Sequence, residues 1–193
     1  LVRNVEQFTQ MVIFKPEDKI LCVLPMFHCY GLTTVIHAGL MHGSTIVILR
    51  SKNPSEIINA IVEHSVTMAI MVPPMYNLLA RRGEPSVMQT VHDFISGGAP
   101  IPQPVAQAFY DRFHHPVREG YGLTEASPVV SVLPSDRLKY LTVGPAIPGV
   151  EVKIMTDREG PYQPGTVGEL LVRGDNVMKG YWHREEETKK VLE

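Results

Sequence analysis

Cysteine is scarce in this chain. Only Cys22 and Cys29 occur in 193 residues, and a separation of seven residues fits neither a zinc knuckle nor a redox pair. That argues against a disulfide scaffold and makes a reduced, cytoplasmic compartment the expectation. An excess of charge of one sign is missing as well: 18 basic residues face 20 acidic ones, for a net charge of -2. Such a balance gives no global attraction to nucleic acid or anionic membrane, so no nucleic-acid partner is expected. Long apolar runs are absent too. None approaches the roughly 20 residues of a transmembrane segment, and Leu1-Val2-Arg3-Asn4 does not open a signal peptide. There is no internal repeat and no low-complexity tract.

What is present has the texture of a soluble globular protein. Hydrophobic residues make up 44% and charged residues 20%, and the length suits one sizeable core or one domain with a small appendage. The chain starts without Met and stops at Val191-Leu192-Glu193 inside a helical pattern, so the polypeptide is expected to continue in both directions.

Short apolar, β-branched-rich runs lie near residues 20–24, 45–49, 68–72, 91–96 and 116–120, with starts about 25 residues apart. Between them, residues 32–41, 54–64, 74–82 and 102–114 carry helical periodicity. Strand and helix alternate, which predicts an α/β fold with a mainly parallel sheet flanked by helices over residues 1–130. The unbroken apolar stretch Met68-Ala69-Ile70-Met71-Val72 fits a strand buried on both faces. After Pro134 the texture shifts to Pro and Gly punctuation around strands near 149–155 and 166–173, with turns at Asp157 to Gly160 and at Pro164-Gly165. Residues 131–193 are therefore expected to form a small β-rich subdomain, a partial barrel, closed by a helix over 184–192.

In a doubly wound sheet, ligands bind beyond the carboxyl ends of the strands, so the segments that leave each strand carry the information. One is Ile95-Ser96-Gly97-Gly98-Ala99-Pro100, where paired glycines allow a tight turn and let a flat ring approach the backbone. Alone, such a turn is better explained by structure than by a ligand. The other is Glu119-Gly120-Tyr121-Gly122-Leu123-Thr124-Glu125. Tyr121 offers an aromatic face, Thr124 a hydroxyl for a phosphate oxygen, and Glu125 a hard oxygen ligand suited to magnesium. Thr124-Glu125 can equally be a capped helix start. It is not a dinucleotide fingerprint, because Glu125 stands where the third glycine would be. The two turns follow consecutive strands and can face one crevice.

Ser96-Gly97-Gly98-Ala99-Pro100 and Tyr121-Gly122-Leu123-Thr124-Glu125 resemble the adenine and phosphate motifs of the adenylate-forming superfamily, which includes acyl-CoA synthetases, coumarate-CoA ligases, amino-acid adenylation domains and firefly luciferase. Leu24-Pro25-Met26-Phe27-His28-Cys29-Tyr30-Gly31-Leu32 resembles that family's histidine segment, and Val72-Pro73-Pro74 its next strand end. Gly168-Glu169-Leu170, Val172-Arg173-Gly174 and the stretch 177–182 resemble the approach to its ribose-binding loop. The motifs keep the family's order from Arg3-Asn4 to Thr188.

The resemblance implies an internal piece of the large N-terminal domain of an ATP-dependent carboxylic acid-CoA ligase, with fatty acids ahead of aryl acids. Gly97, Gly98, Ala99, Pro100, Glu119, Gly120, Tyr121, Gly122 and Thr124 would then contact the nucleotide. His28, Thr124 and Glu125 would serve catalysis, with Glu125 on Mg2+. His28, Tyr30, Thr34, Val72 and Gly120 would meet the acyl group, although core packing explains the last four equally well. The substrates implied are a carboxylic acid, ATP (leaving as AMP) and coenzyme A. A Lys-bearing phosphate loop would precede Leu1, and a ribose-binding Asp and a small domain with a catalytic Lys would follow Glu193. On this reading the 193 residues alone are inactive. The competing expectations are a noncatalytic nucleotide-binding module and an amino-acid or aryl-acid adenylation enzyme.

Overall fold

The computed structural model describes residues 1–136, 139, 141–156 and 162–192. In chain order these form α1 (Val2–Phe8), β1 (Lys19–Cys22), α2 (Cys29–Gly31), a π-helical segment (Leu32–His37), α3 (Ala38–His42), β2 (Thr45–Ile48), α4 (Pro54–His64), β3 (Met68–Met71) and α5 (Pro73–Arg82). There follow β4 (Asp93–Ser96), α6 (Gln103–Phe113), β5 (Val117–Gly122), β6 (Val129–Val132), β7 (Val150–Met155), β8 (Glu169–Gly174) and α7 (Glu185–Val191). The turn expected at Asp157 to Gly160 lies outside the described residues.

Six strands make one sheet in the order β2-β1-β3-β4-β5-β6. The first five run parallel, and only β6 is antiparallel, paired with β5. The α/β expectation therefore holds, with an antiparallel edge strand that the apolar pattern did not mark. β7 and β8 form a separate antiparallel pair.

Alternation along each strand divides the core in two. Leu21, Ala69, Met71 and Phe94 face the layer of α4, α5 and α6, where they pack with Ile61, Tyr76, Leu79 and Phe109. Ile20, Cys22, Met68, Ile70 and Ile95 face the other way and pack with Val5, Phe8, Val35, Val129 and Ile147. All four residues of β3 are buried, as a strand covered on both faces requires.

Helix ends follow local chemistry. Asn53 caps α4 by accepting from Ser55 N at 3.1 Å, and Pro54 supplies a first position that needs no N–H. The expected helix near 32–41 begins earlier, because His28 caps it by accepting from Tyr30 N. Its middle widens to π geometry where Thr34 Oγ1 donates back to Tyr30 O at 2.7 Å.

Arg118 of β5 is a buried cross-tie. Its guanidinium donates to Asp93 Oδ2 at 2.5 Å, Leu133 O at 2.7 Å and Met11 O at 2.8 Å. It thus joins the start of β4, the segment after β6 and the segment after α1.

Candidate functional site

β4 and β5 are hydrogen-bonded parallel neighbours, with Ser96 opposite Glu119, so the loop that leaves β4 lies beside the end of β5, where Gly120 to Gly122 remain in the sheet and pair with β6 instead of leaving it after Glu119 as expected. Both segments open on one cleft of about 230 Å3. Gly98 lines it from the first segment, and Gly120, Tyr121, Gly122, Leu123 and Thr124 from the second. His28, Cys29, Tyr30 and Thr34 close it from the helical side, and Val129, Ser131 and Val132 from β6.

The first segment is stitched to both neighbours: Gly97 N donates to Met71 O at 3.3 Å and Ile101 N to Glu119 Oε1 at 3.0 Å. Gly97 is glycine for a steric reason. A Cβ there would lie 2.9 Å from the Tyr30 ring, which rests on it as the floor of the cleft. Tyr30 Oη donates to Met71 O, and burial pushes its phenol well up. Glu119 is buried, which pushes its carboxyl up against the lowering effect of the Ile101 N–H. It braces the first loop rather than lining the cleft. Ala99 and Pro100 are exposed on that loop beyond the lining, and Gly97 lies beneath it. Val72 is half-buried at the N-terminus of α5, where it would stand 3.6 Å from a Cβ on Gly98.

The second segment is held from three directions. Asn4 exchanges two hydrogen bonds with Val129, giving Nδ2 to its O at 2.8 Å and accepting from its N at 3.0 Å. Asn176, beyond β8, donates to Ala126 O at 2.9 Å. Met178 N donates to Glu125 O at 2.7 Å. Gly122 admits no side chain, since a Cβ would meet Pro128 O at 2.2 Å. This scaffolding presents Tyr121 and Thr124 exposed at the mouth.

Two contacts there had no signal in the sequence. Thr124 Oγ1 lies 3.3 Å from Cys29 Sγ, a pair 95 residues apart. Tyr181 Oη donates to Glu125 Oε1 at 2.5 Å, 56 residues away. That bond holds the Glu125 carboxyl below its ordinary value and raises the Tyr181 phenol. Glu125 therefore adjoins the mouth of the cleft as an anion without lining it. His28 Nδ1 accepts from Tyr30 N at 3.1 Å, so a neutral ring carries its proton on Nε2. Phe8 and Val12 also line the cleft, although nothing in their local pattern marked them.

Such an arrangement can seat a flat ring against glycine backbone, meet an anion with a hydroxyl, and set a carboxylate beside it. Comparison with known proteins agrees. 4-coumarate-CoA ligase 3 of Oryza sativa subsp. japonica is 33% identical over 189 residues, covering 93% of this chain and 34% of that protein. Feruloyl-CoA synthase of an Amycolatopsis species is 33% identical over 180 residues, covering 91% and 36%. Apo MatB from Rhodopseudomonas palustris superposes with a TM-score of 0.89 at 28% identity, over 97% of this chain and 38% of that one. The chain thus spans about a third of the length of the curated relatives it matches. Residues 1–182 match the family described as AMP-binding enzyme, and the chain belongs to that family.

Proposed function

We propose that this chain is part of an ATP-dependent, AMP-forming carboxylic acid-CoA ligase. One observation carries the proposal: the loop after β4 and the end of β5 with the residues following it converge with His28 on a single cleft. Residues 1–130 and 131–193 are read as two subdomains of a larger N-terminal domain, and the protein as cytoplasmic. Among the described residues no helix is long and apolar enough to cross a membrane.

In the first half-reaction a carboxylate oxygen bonds to the α-phosphorus of ATP, the bond from that phosphorus to the bridging oxygen breaks, and pyrophosphate leaves. In the second, the thiol of coenzyme A gives up its proton, its sulfur bonds to the acyl carbon, the bond from that carbon to the phosphate oxygen breaks, and AMP leaves. The first step brings two anions together, so it depends on positioned donors and cations. Gly98 to Pro100 and Gly120 to Gly122 would border the adenine, with the exposed Tyr121 ring beside it, Gly97 supporting the loop from beneath and Glu119 bracing it. Thr124 Oγ1 would donate to the α-phosphate. His28 would stand by the reacting carboxylate, and Tyr30, Thr34, Val72 and Gly120 would border the acyl group or support its pocket. Among the described residues no three His, Cys, Asp or Glu side chains are grouped to hold a metal. The anionic Glu125 nevertheless fits magnesium, which is commonly held by one or two carboxylates with substrate phosphates completing its shell. When bound, the ion would neutralise phosphate charge.

Fatty acids are the first substrate class proposed. A second, aryl acids, is favoured by the names of the relatives, which specify 4-coumarate and ferulate. The test is ATP-pyrophosphate exchange by the complete protein against a panel of carboxylic acids, followed by thioester formation with coenzyme A. Exchange with no acid would defeat the ligase reading and favour a noncatalytic nucleotide-binding module. The 193-residue chain alone is expected to give no exchange, and measurable exchange would refute that expectation.

A further inference from the structure

The inner part of the cleft differs in chemistry from its mouth. Its walls are the buried apolar side chains of Phe8, Val12, Ile70 and Ile95. Three hydroxyl residues also line it, and each has its hydrogen committed to the protein backbone: Tyr30 to Met71 O at 3.3 Å, Thr34 to Tyr30 O at 2.7 Å, and Ser131 to Val143 O at 2.9 Å. No Lys, Arg, Asp or Glu side chain lines the cleft among the described residues. The side-chain groups with polar capacity, His28 Nε2, Cys29 Sγ and Thr124 Oγ1, gather at the other end, where Cys29 and Thr124 are 3.3 Å apart.

We infer that the cleft selects monocarboxylates whose tail carries neither a second carboxylate nor a carbonyl group. The inference rests on the ligase reading for its direction, carboxylate toward His28 and tail toward Ile70 and Ile95. An apolar tail displaces water and gains burial at no polar cost. A second carboxylate would enter where, among the described residues, no cation and no uncommitted side-chain donor lines the wall, and an unpaired ionised group in an apolar site is strongly disfavoured. A carbonyl in the tail would lose its water partners and meet no uncommitted side-chain donor among the described residues of the inner wall, which is costly on a smaller scale. The Tyr30 floor cannot easily swing to donate, because its ring is wedged on Gly97.

The experiment compares octanoate, octanedioate and 7-oxo-octanoate in pyrophosphate exchange by the complete protein. Octanoate is expected to exceed octanedioate in kcat/KM by at least about 100-fold and the oxo acid by about 10-fold. Equal values, or a preference for either polar acid, overturn the inference. In parallel, the three acids compete with the neutral fluorophore N-phenyl-1-naphthylamine for binding to the same protein. If no acid supports exchange, the ligase reading falls and displacement decides alone. Release of the fluorophore by octanoate but not by octanedioate then upholds the cleft's selectivity, while equal release or none by both refutes it.

Discussion

Replacing Arg118 by Met tests the buried cross-tie of the sheet. Arg118 is 4% exposed and its guanidinium serves three acceptors on three segments. Arg118→Met keeps much of the apolar stem but leaves Asp93 as a largely buried carboxylate, 12% exposed, without its partner, and removes the donor to Leu133 O and Met11 O. Breaking a buried pair from one side costs about 3 to 5 kcal/mol. Set against a typical total of about 5 to 15 kcal/mol, that is a large fraction of stability. The loss should also depend on pH. Burial already pushes the Asp93 carboxyl above its ordinary value of 3.8, against the pull of Arg118. Without the guanidinium its folded pKa rises further. A carboxyl with a raised folded pKa binds more protons folded than unfolded, so its contribution is favourable at low pH and is lost as pH rises through the folded pKa. The deficit of the variant should therefore shrink on going from about pH 8 to about pH 5.5. Urea denaturation followed by circular dichroism, for wild type and variant at both pH values, measures this. The double variant Asp93→Leu/Arg118→Met should recover at least about 2 kcal/mol, because it removes the stranded charge. A deficit below about 1 kcal/mol, well short of a broken buried pair, or one that widens as pH falls, would refute the reasoning.

Gly97→Ala drives a methyl to within 2.9 Å of the Tyr30 ring; overpacking of about 1 to 3 kcal/mol should lower Tm by about 2 to 12 °C, and an unchanged Tm in a thermal melt would contradict the wedge. Asp18 is 2% exposed; burial pushes its carboxyl up, but hydrogen bonds from His92, Thr67 and Lys15 N outweigh this and hold it below its ordinary 3.8. Its contribution is thus present above pH 3.8 and lost as pH falls through the folded pKa, so wild type and Asp18→Asn, about 1 to 3 kcal/mol apart at neutral pH, should converge in acid denaturation.

Local pattern determined a good deal of this protein. The spacing of apolar runs located β1 to β5, and the Asn53-Pro54 cap set the start of α4, because side-chain alternation and capping act over a few residues. The turn at Gly97-Gly98 was legible for the same reason, since paired glycines at a strand end mark backbone that has left the ladder, whereas Gly120 to Gly122, expected to leave the sheet after Glu119, stays in β5 because β6 supplies an antiparallel partner. The sequence could not say that Cys29 would meet Thr124, that Tyr181 would reach Glu125, or that Asn4 would hold Val129 from 125 residues away. Nor could it show that the hydroxyls of Tyr30, Thr34 and Ser131 are turned to backbone carbonyls rather than to the cleft. These depend on which strands become neighbours and on where each side chain finds its partner. Hydrogen bonds depend on three-dimensional separation rather than distance along the chain, so only the tertiary structure decided how the legible motifs became a cleft with a polar mouth and an apolar interior.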